Sequence, residues 1–241
     1  MRMRLAWWGL LGWMAGSAGF GIGLVRAEEP RKLPDPTRFE SQIAAFERED
    51  RKEPPPARAV VVTGSSSIRM WQGQEPGVVD DLAPLTVIPR GFGGSTMRDL
   101  LYYADRVILC YRPRAVVIYE GDNDTAMGIS PKEVRDTFAQ LVRKLHGQND
   151  RMRIYFLAIK PSPKREGVWP KARKANRLIR EFCNKDDRLF YIDVASPMLD
   201  DSGKPKSELF LKDRLHMNRK GYELWKKVIR PVLLKHERAY E

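Results

Sequence analysis

A chain of 241 residues, 42% hydrophobic and 31% charged, has the balance of one folded domain of about 200 residues, and excludes both a disordered chain and two large domains. Its net charge of +12 favours weak attraction to anionic polymers or membrane surfaces. No basic stripe interleaved with aromatics, zinc-finger spacing or RNA-binding signature accompanies that charge, so no nucleic-acid partner is expected. The only cysteines, Cys110 and Cys183, can pair in an exported protein or stay as free thiols, and neither sits in a motif that would make it a nucleophile.

The chain starts with a basic Met1-Arg2-Met3-Arg4, and the apolar run over residues 5–25 holds three tryptophans. It closes at Val25-Arg26-Ala27, a small-x-small cleavage pattern, and polar Glu28-Glu29-Pro30 follows. Residues 1–27 therefore predict a secretory signal peptide, or an uncleaved membrane anchor, since the run is nearly long enough to span a bilayer. Either leaves the basic end in the cytoplasm and the body outside it, periplasmic or secreted. Three arginines and no acids fall in this segment, so the remainder carries +9.

Residues 28–57 read as Pro-rich linker around one amphipathic helix, with a capping box at Thr37-x-x-Glu40 and apolar positions at Phe39, Ile43 and Phe46. It is expected to pack on the outside of the domain formed by residues 58–241. There the pattern alternates. Short runs at 59–62, 85–88, 115–119, 154–159 and 189–194 are nearly continuous in β-branched or aromatic residues, as strands buried on both faces of a parallel sheet must be. Between them lie helical patterns. The first has Met97, Leu100, Leu101, Ala104, Val107 and Ile108 on one face. The second opens at Ser130-Pro131-Lys132-Glu133, a capping box, and is stopped by Gly147; a third covers about 170–184. The last starts at Asn218, and Pro231 should kink or end it. Strands alternating with helices predict βαβ units and a three-layer α/β/α sandwich on a five-stranded parallel sheet.

Four short segments carry the chemistry: Gly64-Ser65-Ser66-Ser67, Gly91-Phe92-Gly93-Gly94, Gly121-Asp122-Asn123-Asp124 and Asp213-Arg214-Leu215-His216. The first three follow the first three strands, at the carboxyl edge where parallel sheets bind ligands; a strand order of 2-1-3-4-5 brings them together. A serine hydroxyl needs a base in contact, and His216 is the candidate, with Asp213 able to set its tautomer. The backbone N–H groups of Ser66 and Gly94 and the side-chain amide of Asn123 can hold an oxyanion. Gly-Asp-Asn-Asp also looks like an oxygen-ligand loop, but it lacks the spaced carboxylates of a calcium site, and no metal is assigned.

At these residues the chain resembles the SGNH hydrolases, also called GDSL-like esterases and lipases, from about residue 59 to residue 233. Their first block is usually Gly-Asp-Ser-(Leu/Ile); here it is Gly64-Ser65-Ser66-Ser67-Ile68, with Trp71 beyond, which places the nucleophile at Ser66 and a serine where aspartate is usual. Arg90-Gly91-Phe92-Gly93-Gly94 puts the oxyanion glycine at Gly94, while Gly121-x-Asn123-Asp124 and Asp213-x-x-His216 match without change. The resemblance implies ester hydrolysis through an acyl-serine intermediate on a flavodoxin-like sandwich, with no metal or other cofactor.

Residues 160–177 hold seven basic side chains, with Trp169 among them. The segment is either a solvated helix face or a rim for an anionic or glycan chain, with Trp169 stacking on a sugar. Ser65, Asp124, Lys160 and Trp169 are accordingly candidate substrate contacts. The expected activity is removal of short acyl groups, acetyl first, from a carbohydrate or cell-envelope ester. A lipase, lysophospholipase or thioesterase of the same mechanism is one alternative. A glycan- or envelope-binding protein that keeps the fold without catalysis is the other. Membrane association, if any, would run through the N-terminus.

Overall fold

The five β-rich runs form one parallel sheet. In the computed structural model, which describes residues 33–241, β1 is Val60–Gly64, β2 Val87–Gly91, β3 Ala115–Tyr119, β4 Arg153–Leu157 and β5 Leu189–Ile192. Their order is β2-β1-β3-β4-β5, as expected, with every neighbouring pair parallel. The leader proposed for residues 1–27 lies outside the described residues. The helices are α1 Glu40–Lys52, α2 Ser66–Gln72, α3 Val78–Leu82, α4 Met97–Val107, α5 Asp122–Ala126, α6 Pro131–Gln148, α7 Trp169–Cys183 and α8 Arg219–Glu237.

Every residue of β1 and β3 is buried, because helices cover both faces of the sheet. Val60, Val62, Ala115, Val117, Tyr155 and Leu157 share a core with Trp71 of α2, Leu82 of α3 and Trp225 of α8. There the Trp71 and Tyr222 rings stack at 5.6 Å, and Trp225 meets Trp71 edge-on at 6.0 Å. The alternate residues turn to the other face, where α4, α6 and α7 pack side by side and Phe138 of α6 lies 5.1 Å from Phe156.

Strand β2 runs through Pro89. Val60 N bonds Thr86 O and Phe92 N bonds Gly64 O, both at 2.9 Å, so the even-numbered residues of β2 face β1. Pro89 falls on the outward side of an edge strand, where no amide is needed.

Three local expectations are corrected. The box at Thr37 and Glu40 does not form: Asp35 caps a short 3₁₀ turn through Thr37 N (2.9 Å), and Glu40 is taken by Arg106 of α4 at 2.8 Å. The α1 segment thus lies against α4, with Phe39 and Ile43 buried and Phe39 edge-on to Phe92 at 5.3 Å. Gly147 does not stop α6, which runs on to Gln148 and is closed by Asn149.

Pro231 does not end α8 either. It sits on the exposed face, while Ile229 and Leu233 stay buried and Glu237 anchors the far end. That carboxylate is fully buried and accepts from Arg114 (3.1 Å), Arg153 (2.5 and 2.8 Å) and Tyr155 (2.6 Å). Tertiary anchoring of this kind outweighs a local proline penalty of about 3 kcal/mol. Glu237→Ala leaves the part-buried Arg153 without its counter-charge and Arg114 with Glu241 alone, and is expected to cost about 3 kcal/mol in a urea unfolding series. Because the cluster sits at the amino edge of β3 and β4, the carboxyl edge that carries the first three motifs should be undisturbed in the folded fraction.

Candidate active site

Gly64 ends β1 at φ +140°, and a Cβ there would stand 2.0 Å from the Tyr119 carbonyl oxygen, so only glycine fits. Ser65 follows in extended conformation and Ser66 begins α2, a helix hidden within what reads as a turn. Of the three serines, Ser65 and Ser67 are buried, at 2% and 1% exposure. Ser66 alone opens into a cleft of about 720 Å³, which Arg69, Met70, Gly94, Asn123 and His216 also line.

His216 reaches Ser66 from the loop before α8. An antiparallel bridge between Phe210 and Met217 closes that loop, and Leu211 N bonds His216 O at 2.8 Å. Arg214 turns it at φ +60°, an uncommon conformation for a side-chain-bearing residue. The Asp213 carboxylate can then face back: Oδ1 accepts from the N–H groups of Leu215 (2.9 Å) and His216 (3.0 Å), and Oδ2 lies 2.6 Å from His216 Nδ1. His216 Nε2 is 2.9 Å from Ser66 Oγ. Burial works against the charge on Asp213, but the imidazole and the two amides outweigh it and hold its pKa at about 2. The ionised carboxylate accepts from Nδ1–H, which leaves Nε2 free to take the serine proton.

Opposite the serine, Gly94 stands at φ +89° with open space where a Cβ would be, so here glycine answers to backbone conformation and not to crowding. Among the described residues, neither the Ser66 nor the Gly94 N–H donates elsewhere. Asn123 gives one amide hydrogen to Ser95 O at 2.8 Å, and its second is available to the cleft. Arg165 donates to Asn123 Oδ1 at 2.8 Å, which fixes the amide so that its NH₂ faces inward.

Beneath this wall lies a buried charged layer. Asp122 binds Lys160 Nζ (3.0 Å) and Arg165 Nη1 (2.7 Å); burial opposes its charge, yet the two cations hold its pKa below the usual range. Burial, with the Asp124 charge adding to it, pushes Glu120 well up. Ser95 Oγ lies 2.9 Å from Phe92 O and 2.5 Å from Glu120 Oε1. A hydroxyl has one proton, so a neutral Glu120 donates to Ser95, which donates to Phe92 O. The other oxygen of Glu120 has no partner, a cost an acid bears far better than a carboxylate.

The four substrate contacts proposed from sequence do not line this cleft. Ser65 is buried behind the serine, and Asp124 receives Met97 N at 3.1 Å at the start of α4. Lys160, 2% exposed, is spent on Asp122. Trp169 borders a different cleft of about 450 Å³, with Arg173, Arg177, Arg180 and Tyr191 between α7 and β5. The functional neighbours that sequence reasoning missed are Arg69 and Arg165. Arg69 is spaced three residues beyond Ser66, a legible signal had α2 been recognised; Arg165 was absorbed into the basic run.

The model of the GDSL-like Lipase/Acylhydrolase family matches residues 60–224. The chain belongs to that family. It is an ester-bond hydrolase, and its fold agrees with solved structures of GDSL-like proteins. A Streptococcus pneumonia protein provisionally described as a platelet activating factor superposes with a TM-score of 0.70 at 18% identity, covering 81% of this chain and 93% of that one. A GDSL-like lipase from Bacteroides thetaiotaomicron gives 0.64 at 20%, covering 83% and 98%. An acetylxylan esterase from Geobacillus stearothermophilus, solved as a catalytic mutant, gives 0.55 at 13%, covering 75% and 94%. No curated protein matches the chain.

In this GDSL-like acylhydrolase the acids behind Asn123 make stability depend on pH. Burial, against the Met97 amide, raises Asp124 from its ordinary 3.8 to about 7, so the folded chain keeps a proton that the unfolded chain releases. From about pH 4 to about pH 7 the unfolded state therefore binds fewer protons, and stability falls as pH rises. Asp124→Asn is expected to flatten that slope in urea unfolding measured across the range; an unchanged slope would assign it to other groups.

Proposed function

We propose that Ser66 is the nucleophile of a metal-free ester hydrolysis, with His216 its base and Asp213 the group that orients the imidazole. The observation that carries this reading is the continuous contact from Asp213 to His216 (2.6 Å) and from His216 to Ser66 (2.9 Å). Ser66 Oγ bonds to the ester carbonyl carbon as its proton passes to His216 Nε2. The carbonyl oxygen becomes an oxyanion between the N–H groups of Ser66 and Gly94 and the Asn123 amide. His216 returns the proton to the leaving alcohol, and the acyl-serine remains. Water, deprotonated by the same nitrogen, then releases the acid and restores the serine.

The substrate is a short acyl ester, acetyl first, on a carbohydrate or cell-envelope polymer. Among the cleft-lining side chains only Met70 and Leu215 are apolar, which offers little to a long acyl chain. The similar Geobacillus stearothermophilus protein is an acetylxylan esterase, which favours the same class. The basic start and apolar run of residues 1–27 support an extracytoplasmic enzyme, secreted, periplasmic or anchored, with envelope polymers within reach.

A fluorophosphonate probe should label the wild type and not Ser66→Ala, and acetyl esters should be turned over faster than butyryl or long-chain ones. No labelling and no Ser66-dependent turnover would leave a binding protein instead. Asn123→Ala is expected to lower kcat by about 10²–10³ while the fold persists by circular dichroism. Asp213 stays ionised down to about pH 2, so the acid limb of the rate belongs to His216. A rate flat down to pH 4 would overturn the histidine base.

A further inference from the structure

One side chain in the cleft has no role in proton transfer or in holding the oxyanion. Arg69 lies three residues after Ser66 on α2, and residues so spaced share a helix face, with Cβ atoms roughly 5–6 Å apart. The α2 backbone is pinned at this residue: a Cβ on Gly91, the last residue of β2, would stand 2.3 Å from Arg69 N. From there the side chain runs along Gly93, its Cδ and Nη1 at 3.3 and 2.9 Å from where a Cβ would be, next to Gly94. The guanidinium therefore lies on the wall that faces the reacting carbonyl.

Arg69 also lacks an ion pair of the kind that several arginines around the sheet have. Arg90 is paired with Asp50, Arg165 with Asp122 and Arg219 with Asp81, whereas the exposed Arg69 side chain makes no ion pair or hydrogen bond among the described residues, only its backbone N–H bonding Ser65 O. No acid lines the cleft, since Asp213 stands behind the imidazole. A guanidinium left unpaired beside a nucleophile is a fork for a carboxylate or phosphate. The surrounding chain, at +9 outside residues 1–27, draws such groups towards it.

We infer that Arg69 selects esters whose alcohol half carries an anionic group, a carboxylate or a phosphate, within reach of the acetylated oxygen. This deepens the esterase reading and rests on it. With a short acyl group in the cleft, the alcohol half is the part long enough to reach the guanidinium. The natural substrate is then an acetylated acidic glycan or phosphate-bearing polymer and not a neutral one. Arg69 touches the substrate but no reacting atom, so it governs KM more than kcat.

Three acetyl esters test this: phenyl acetate, 4-acetoxybenzoate and 4-acetoxyphenyl phosphate, each with wild type, Arg69→Gln and Arg69→Lys. Arg69→Gln should raise KM for the charged esters by about 10- to 100-fold, the worth of a charge-assisted hydrogen bond, and leave phenyl acetate nearly unchanged. Arg69→Lys should recover part of the loss, and added salt should erode the preference for charge. The larger loss of the two charged esters identifies whether carboxylate or phosphate is the natural group. Equal effects of Arg69→Gln on all three esters, or a change in kcat alone, overturn the inference and leave the esterase standing. If none of the three shows Ser66-dependent turnover, the esterase reading falls and the inference with it.

Discussion

The level ending of three neighbouring strands is the constraint on which the site depends. Gly64 pairs in register with Gly91 of β2 on one side and with Tyr119 of β3 on the other, so all three strands stop at one height. The approach of Gly64 to the Tyr119 carbonyl is closer than any side chain allows. Ser66, Gly94 and Asn123 follow within a few residues of those ends and therefore emerge side by side. A side chain at Gly64 would push β1 from β3 and separate the hydroxyl from its oxyanion donors together. Catalytic geometry here is a consequence of sheet register, which hydrophobic burial on both faces holds far more firmly than any loop could.

The wall opposite the serine is expensive in stability. Glu120, Asp122 and Asp124 are buried within a few residues of Asn123, Lys160 is buried against Asp122, and a buried ion cluster usually contributes less than apolar side chains of the same volume. What the layer gives is orientation. Arg165 holds Asn123 by its oxygen, Asp122 holds Arg165 and is itself held by Lys160, and Ser95 is gripped by its hydroxyl from Glu120 and by its carbonyl from Asn123. Donors fixed before the substrate arrives need no reorganisation when negative charge develops, which is where such sites gain most of their rate.

The parts written as local patterns were readable from sequence, and the parts set by tertiary contact were not. The alternation of apolar runs and amphipathic stretches sufficed for a parallel sheet and its layers, because strands buried on both faces carry a distinctive composition, while the strand order followed from the need to bring the three motif loops together. Gly64, Gly94, Asn123 and His216 sit in short motifs whose backbone demands are local. Lys160 was misjudged because a basic residue after a strand reads as solvated or substrate-facing, and nothing local reveals a carboxylate across the sheet edge. Asp122 is that carboxylate, 38 residues before Lys160. Pro231 and Gly147 erred in the opposite sense, since propensities of about 1–3 kcal/mol yield to a helix with a long buried stripe. The α2 helix was missed because its Gly-Ser-Ser-Ser opening has the composition of a turn, and with it went the meaning of the spacing between Ser66 and Arg69.

The two halves of the site make opposed demands on pH. In the proposed mechanism His216 takes the serine proton only when it is itself unprotonated, so the rate is expected to climb as pH rises. Glu120 and Asp124 are most comfortable with their protons on, Asp124 up to about pH 7, and they underlie the segments that carry Gly94 and Asn123. Raising the pH frees the base while it charges the layer behind the oxyanion donors. Loss of the Glu120 proton would remove the donor to Ser95 Oγ and place a negative charge behind a wall meant to attract one. In that mechanism the base and the buried acids therefore pull the working pH in opposite directions.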